Sequence, residues 1–192
     1  MSAITTSPVL VDRWVKNSVV RSAVSVLGLV GLTAVSAQIA VPLPFTPVPL
    51  TLQTFAVLAG AAALGANRAV TAQTIYLLLA FAGTPILAGG AGGAQKVFGA
   101  TGGYLVGFII ASYVVGRIAE FGVTKKVKAT VVAYAVGSFV IYSFGALWLA
   151  QFTGNSLSWA ISNGVTPFIV GDLIKAAAAG AVLPTIWKLT SK

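Results

Sequence analysis

The residues best placed to do chemistry stand in the run Thr166-Pro167-Phe168-Ile169-Val170-Gly171-Asp172-Leu173-Ile174-Lys175-Ala176. Proline is favoured in the first turn of a helix, where its missing N–H would have no partner, so the run reads as a helix start. Asp172 and Lys175 are three apart and therefore share a helix face. At about 1.5 Å of rise per residue they lie roughly 8 and 12 Å beyond Pro167. Inside a bilayer an ionised side chain at that depth costs at least about 2.5 kcal/mol, which makes a functional role the default reading. In a wet cavity the carboxylate would accept N–H donors and the ammonium would donate to oxygen. The structural alternative is a self-neutralising pair that joins two helices, which apolar residues could replace together without loss.

A second positive charge, Lys96, lies within a stretch from Gly89 to Gly103 in which seven of fifteen residues are glycine. Such a loop allows close approaches that side chains would block, so Gly89 to Gly93, with Gly90 and Gly92 central, is expected to fold over a ligand beside Lys96. Gly99, Gly103 and Gly107 repeat at four-residue spacing and are expected to pack against another helix. A phosphate-binding P-loop is excluded, because its Lys-Ser/Thr ending is missing.

The segment Pro42-Leu43-Pro44-Phe45-Thr46-Pro47-Val48-Pro49 is stiff, since each proline fixes φ and pushes its predecessor toward extended geometry. It makes a good wall or lid edge, and Phe45 and Thr46 are its candidate ligand contacts. Thr51, Gln53 and Thr54 follow; an amide such as Gln53 in an apolar environment must face protein or a cavity. Tyr76 and Tyr104 are further wall candidates, with packing as the alternative. Trp14, Trp148, Trp159 and Trp187 fall near expected interfaces and read as belt residues.

These candidates sit in a chain of 192 residues that is 57% apolar and 8% charged, with a mean hydropathy of +0.95. Soluble domains carry roughly 25% charged residues, so a water-facing surface is excluded. The absence of Cys and His rules out thiolate catalysis, disulfides and His/Cys metal sites, and three acids make a carboxylate metal cage improbable. No cofactor is expected.

From Ser22 to Asn67 there are 46 uncharged residues, about twice the length of one span. The same arithmetic yields an all-α membrane protein of six transmembrane helices, approximately 19–41, 50–64, 69–88, 99–119, 128–150 and 167–188, forming a single domain over 1–192. With the N-terminus inside, Arg13, Lys16, Arg21, Arg68, Arg117, Lys125, Lys126, Lys128, Lys188 and Lys192 are cytoplasmic, ten of twelve basic residues, and so is the C-terminus. The loops 42–49 and 151–166 would lie outside. This topology accounts for the net charge of +9 without nucleic acid. The first apolar run has signal-peptide features around Val35-Ser36-Ala37 but reads as a retained anchor.

Taken together, Pro42 to Thr54, Gly89 to Gly93 with Thr101-Gly102-Gly103-Tyr104-Leu105-Val106-Gly107, and Gly171 to Ala176 resemble the BioY family, the biotin-specific substrate-binding (S) components of energy-coupling factor transporters. The resemblance implies a six-helix S-component fold in a prokaryotic plasma membrane. Its partners would be biotin, a transmembrane coupling protein and cytoplasmic ATPase subunits. It implies that Asp172 and Lys175 contact ligand. Lys96 stands where relatives often have arginine, exchanging a planar fork for a point charge, and Ala100 replaces a proline. The family's small-residue docking spacing on the first helix is met loosely, by Thr33/Ala37 and Ser36/Ala40. Biotin's chemistry then predicts that Asp172 accepts a ureido N–H, Lys175 donates to the ureido oxygen, Lys96 pairs with the tail carboxylate, and Phe45 and Tyr104 line the apolar wall. An ion-coupled carrier is the alternative; a membrane enzyme would rest its acid–base chemistry on Asp172 alone.

Overall fold

The structure, a computed structural model, describes residues 9–13 and 18–190. Trp14, Lys16 and Lys192 lie outside these residues. Helix α1 (Ser18–Gln38) leads into a small hairpin of β1 (Ala40–Val41) and β2 (Leu50–Thr51), followed by α2 (Gln53–Leu64) and α3 (Ala66–Phe81). The short α4 (Ala94–Val97) precedes α5 (Gly102–Glu120), then come α6 (Val127–Thr153), the short α7 (Leu157–Gly164) and α8 (Thr166–Thr190). Among the described residues four helices are long and apolar enough to cross a membrane: α1, α5, α6 and α8.

Several boundaries differ from the sequence expectation, each for a local reason. The first helix stops at Gln38, because the prolines that follow favour extended backbone; Ala40 and Val41 pair antiparallel with Thr51 and Leu50. Residues 42–49 therefore form the loop of a hairpin. The second helix begins at Gln53 rather than residue 50, since Leu50 and Thr51 are committed to the ladder. The third starts at Ala66, directly after Gly65 (φ +83°), whose left-handed backbone breaks the chain between α2 and α3. It ends at Phe81 instead of residue 88, because Gly83 adopts φ +100° and Pro85 follows. The expected outer loop 151–166 is largely helical. Ser156 starts α7 by accepting the Trp159 N–H at 3.2 Å.

Helix α5 lies at the centre, against α2, α3 and α6. A Cβ on Gly107 would stand 2.9 Å from Ile141 Cα, and one on Gly116 would stand 2.7 Å from the carbonyl carbon of Gly65. Glycine at these positions brings α5 backbone to backbone with α6 and with the α2–α3 turn. Thr33, Ser36 and Ala37 are buried, and Thr33 Oγ1 accepts from Gln73 Nε2 at 3.1 Å. Those three small residues of α1 pack inside the bundle, while Ala40 falls in β1 and is half-buried.

Two of the three acids knit one end of the bundle. Asp12 pairs with Arg68 at 2.9 Å and Arg21 at 3.4 Å. Glu120 accepts the Ala66 N–H at 2.9 Å, capping α3, and pairs with Arg117 at 2.6 Å. Lys125 lies over the Trp187 ring at 4.9 Å, at the same end. Lys96, in α4, belongs to the opposite end. Trp187 is buried, and Trp148 donates from Nε1 to the Gly99 carbonyl at 2.8 Å. Trp187 thus belongs to the protein interior, while Trp148 and Trp159 are half-buried.

Candidate functional site

At the end opposite the acidic clamps a cavity of about 580 Å³, counting its open mouth, lies between six parts of the chain. The room it leaves for the centre of a water-sized sphere is about 70 Å³. The hairpin supplies one wall through Val48, Pro49, Leu50 and Thr51, which its short ladder holds in place. Helix α2 adds Gln53 and Thr54, and the glycine-rich segment adds Leu87 and Ala88. The start of α5 contributes Thr101, Tyr104, Leu105 and Phe108. Tyr142 of α6 stacks on Phe168 of α8 at 6.5 Å between centroids, an aromatic surface beside the charged pair Asp172 and Lys175.

The charged pair is built into a complete hydrogen-bond set. Asp172 Oδ1 accepts from Thr54 Oγ1 at 2.9 Å and Lys175 Nζ at 2.8 Å. Its Oδ2 accepts from Ser138 Oγ at 3.1 Å and Tyr142 Oη at 2.8 Å. Lys175 Nζ also donates to the Thr51 carbonyl and to Thr54 Oγ1, both at 2.8 Å. The side chains are 7% and 11% exposed, low enough that an unpaired charge would be costly. A carboxylate offers about four acceptor positions and an ammonium three donors, so both groups are filled by protein.

A second set of bonds ties the walls together. Thr51 Oγ1 donates to Gln53 Oε1 at 3.1 Å, Gln53 Nε2 donates to Tyr76 Oη at 2.9 Å, and Tyr76 Oη donates to the Ile86 carbonyl at 2.8 Å. Gln38, at the end of α1, donates from Nε2 to the Leu87 carbonyl at 3.2 Å and accepts the Gly90 N–H on Oε1 at 3.0 Å.

Of the residues singled out from sequence, Asp172, Lys175, Thr51, Gln53, Thr54 and Tyr104 line this cavity. The Tyr104 hydroxyl is turned away, donating to the Gly164 carbonyl at 2.8 Å. Tyr76 lies behind the wall, wholly buried, as a link in the hydrogen-bond chain. Phe45 sits toward the tip of the hairpin and is exposed, and Thr46 uses its hydroxyl to accept the Val48 N–H at 3.3 Å; neither lines the cavity. Gly90 and Gly92 shape the loop without lining it: Gly90 binds Gln38, and Gly92 fits against the backbone of Gly83 and Thr84. Lys96 is exposed on α4, outside the lining. Sequence reasoning missed Ser138, Tyr142 and Phe168. Ser138 and Tyr142 are four apart, a one-face spacing on the largely apolar α6.

The fold and the site together define a membrane-type helical bundle with a small-molecule cavity near one end, floored by a satisfied ion pair. A family model described as the BioY family matches residues 6–192, and this chain belongs to that family. The chain is 40% identical over 159 residues to the biotin transporter BioY of Thermotoga maritima, covering 82% of this chain and 90% of that one. It is likewise 40% identical over 150 residues to the probable biotin transporter BioY of Pyrococcus horikoshii, covering 78% and 86%. The fold matches a crystal structure of the S-component for biotin from an ECF-type ABC transporter, with a TM-score of 0.82, 26% identity and coverage of 91% of this chain and 94% of that one.

Proposed function

We propose that the protein binds biotin in the cavity above Asp172 and Lys175 and serves as the substrate-specific component of an energy-coupling factor transporter. The observation that carries this reading is the buried ion pair, exposed on one side to an aromatic-lined cavity, in a chain of the BioY family. A cyclic urea offers the complementary groups, two N–H donors beside a strongly accepting oxygen. Asp172 takes a ureido N–H and Lys175 the ureido oxygen, while Tyr142, Phe168 and Tyr104 cover the apolar rings. Energy comes from partners, a transmembrane coupling protein and cytoplasmic ATPases.

The test is equilibrium titration of biotin and of its uncharged amide into purified protein. Wild type binds biotin tightly; a well-folded protein that binds neither compound overturns the reading. Lys96, exposed at the same end of the bundle and outside the cavity lining, supplies the charge for a tail carboxylate that emerges from the cavity. Lys96→Ala is therefore expected to weaken biotin roughly tenfold and to leave the amide unchanged, and equal weakening of both removes Lys96 from this role.

The bundle sits in a prokaryotic plasma membrane as six spans, with α2 and α3 as the two short ones and both termini cytoplasmic. The clustering of Arg21, Arg68, Arg117 and Lys125 at one end supports this orientation. The chain has no cysteine, so single cysteines can be introduced at Ser191 and Asn155. In intact cells a membrane-impermeant maleimide is expected to label position 155 and not 191; the reverse pattern inverts the topology.

A further inference from the structure

The Thr54 hydroxyl occupies a particular place in the ion-pair cluster. It accepts from Lys175 Nζ at 2.8 Å and donates to Asp172 Oδ1 at 2.9 Å, and those two atoms are themselves 2.8 Å apart. The three atoms close a triangle. Thr51, Ser138 and Tyr142 each touch only one member of the pair. Thr54 alone bridges both, from the cavity side of α2.

A group that takes a hydrogen bond from the ammonium and gives one to the carboxylate has the pattern of a cis-amide edge, with a carbonyl oxygen beside an N–H. Asp172 and Lys175 have no acceptor or donor left over for a ligand. A ligand that reaches both at once must displace the one partner that bonds both. Turning Thr54 from one staggered χ1 well to another achieves this without moving the backbone, whereas the Thr51 carbonyl is fixed in the hairpin and the Asp172–Lys175 contact is set by their shared helix.

We infer that the Thr54 hydroxyl competes with the cis-amide edge of the ligand for the Asp172–Lys175 pair, so that Thr54 limits affinity for cyclic ureas and cyclic amides instead of contributing to it. The inference rests on the biotin reading above. It makes Thr54 a specificity residue. Ligands lacking adjacent donor and acceptor groups satisfy only one side of the gap that they open, and Thr54 excludes them.

The sign of one substitution tests it. Thr54→Val keeps the branched shape and removes the hydroxyl. Relative to wild type it is expected to bind biotin roughly threefold to tenfold more tightly, the scale of a net hydrogen bond, and to lower the melting temperature measured without biotin. Thr54→Ser is expected to lose the gain in affinity. Should Thr54→Val bind biotin equally or more weakly while wild type binds and Asp172→Asn does not, the competition is overturned and the biotin reading stands. A folded wild type that fails to bind biotin overturns both. Should Thr54→Val not fold, Thr54→Ala is measured in its place, and failure of both variants to fold makes the hydroxyl structural and overturns the inference.

Discussion

Asp172→Asn is expected to weaken biotin binding roughly a hundredfold or more, the range found when one member of a buried, hydrogen-bonded charge pair is lost. An asparagine can keep its oxygen toward Lys175 and turn its amide toward Ser138 and Tyr142, whose hydroxyls can accept as well as donate. The fold therefore survives in part. Lys175 is left as a buried cation without a counter-ion, a loss of about 3–5 kcal/mol in stability. Lys175→Met is expected to lose binding as well, leaving the carboxylate unpaired. The informative protein is the double variant Asp172→Asn/Lys175→Met. Joint replacement of a buried pair is near neutral for stability, so its melting temperature is expected to return close to that of wild type while biotin binding stays absent. A double variant that binds like wild type would show that the pair only joins helices.

Gly116→Ala is expected to lower stability without touching the site. Its new Cβ would meet the backbone of Gly65 and Ala66, with the Gly65 carbonyl carbon at 2.7 Å. Backbone cannot move aside as a side-chain tip can, so α5 must back away from the α2–α3 turn. That strains the Ala66–Glu120 cap at the same point. Overpacking of this kind costs typically about 1–3 kcal/mol. Thermal unfolding in detergent is expected to show a melting temperature lower by roughly 3–10 °C for a protein of this size. Biotin affinity of the folded fraction is expected to be unchanged, since Gly116 lies at the end remote from the cavity. Weakened binding by folded protein would mean that the two ends are coupled.

The long apolar helices were legible because the bilayer imposes a length and the charges mark the breaks. The end of α3 was legible in principle: Gly83 and Pro85 announce it, but a count of apolar residues ran through them. The hairpin was not, because two-residue strands carry no periodicity and the prolines pointed only to a rigid wall. The short helices α4 and α7 were hidden for a related reason, being too short for a helical repeat to show. At the site, Asp172, Lys175 and Gln53 declared themselves by being polar where polarity is costly. Ser138 and Tyr142 are tolerated in any apolar helix, and only their approach to Asp172 across α6 and α8 gives them a role. Lys96 stood out by charge, yet charge alone says nothing about the direction in which a short helix presents it.

The hairpin wall also bears on the thermodynamics of capture. Ordering a flexible loop around a ligand costs about 1–2 kcal/mol of conformational entropy for each residue fixed. Residues 42–49 hold four prolines, and the ladder between β1 and β2 joins both ends of the segment. Its freedom is spent during folding rather than at the moment of binding, so a ligand meets a preorganised surface on that side. Favourable contacts along Val48 to Thr51 are then retained as affinity instead of being consumed in ordering the chain.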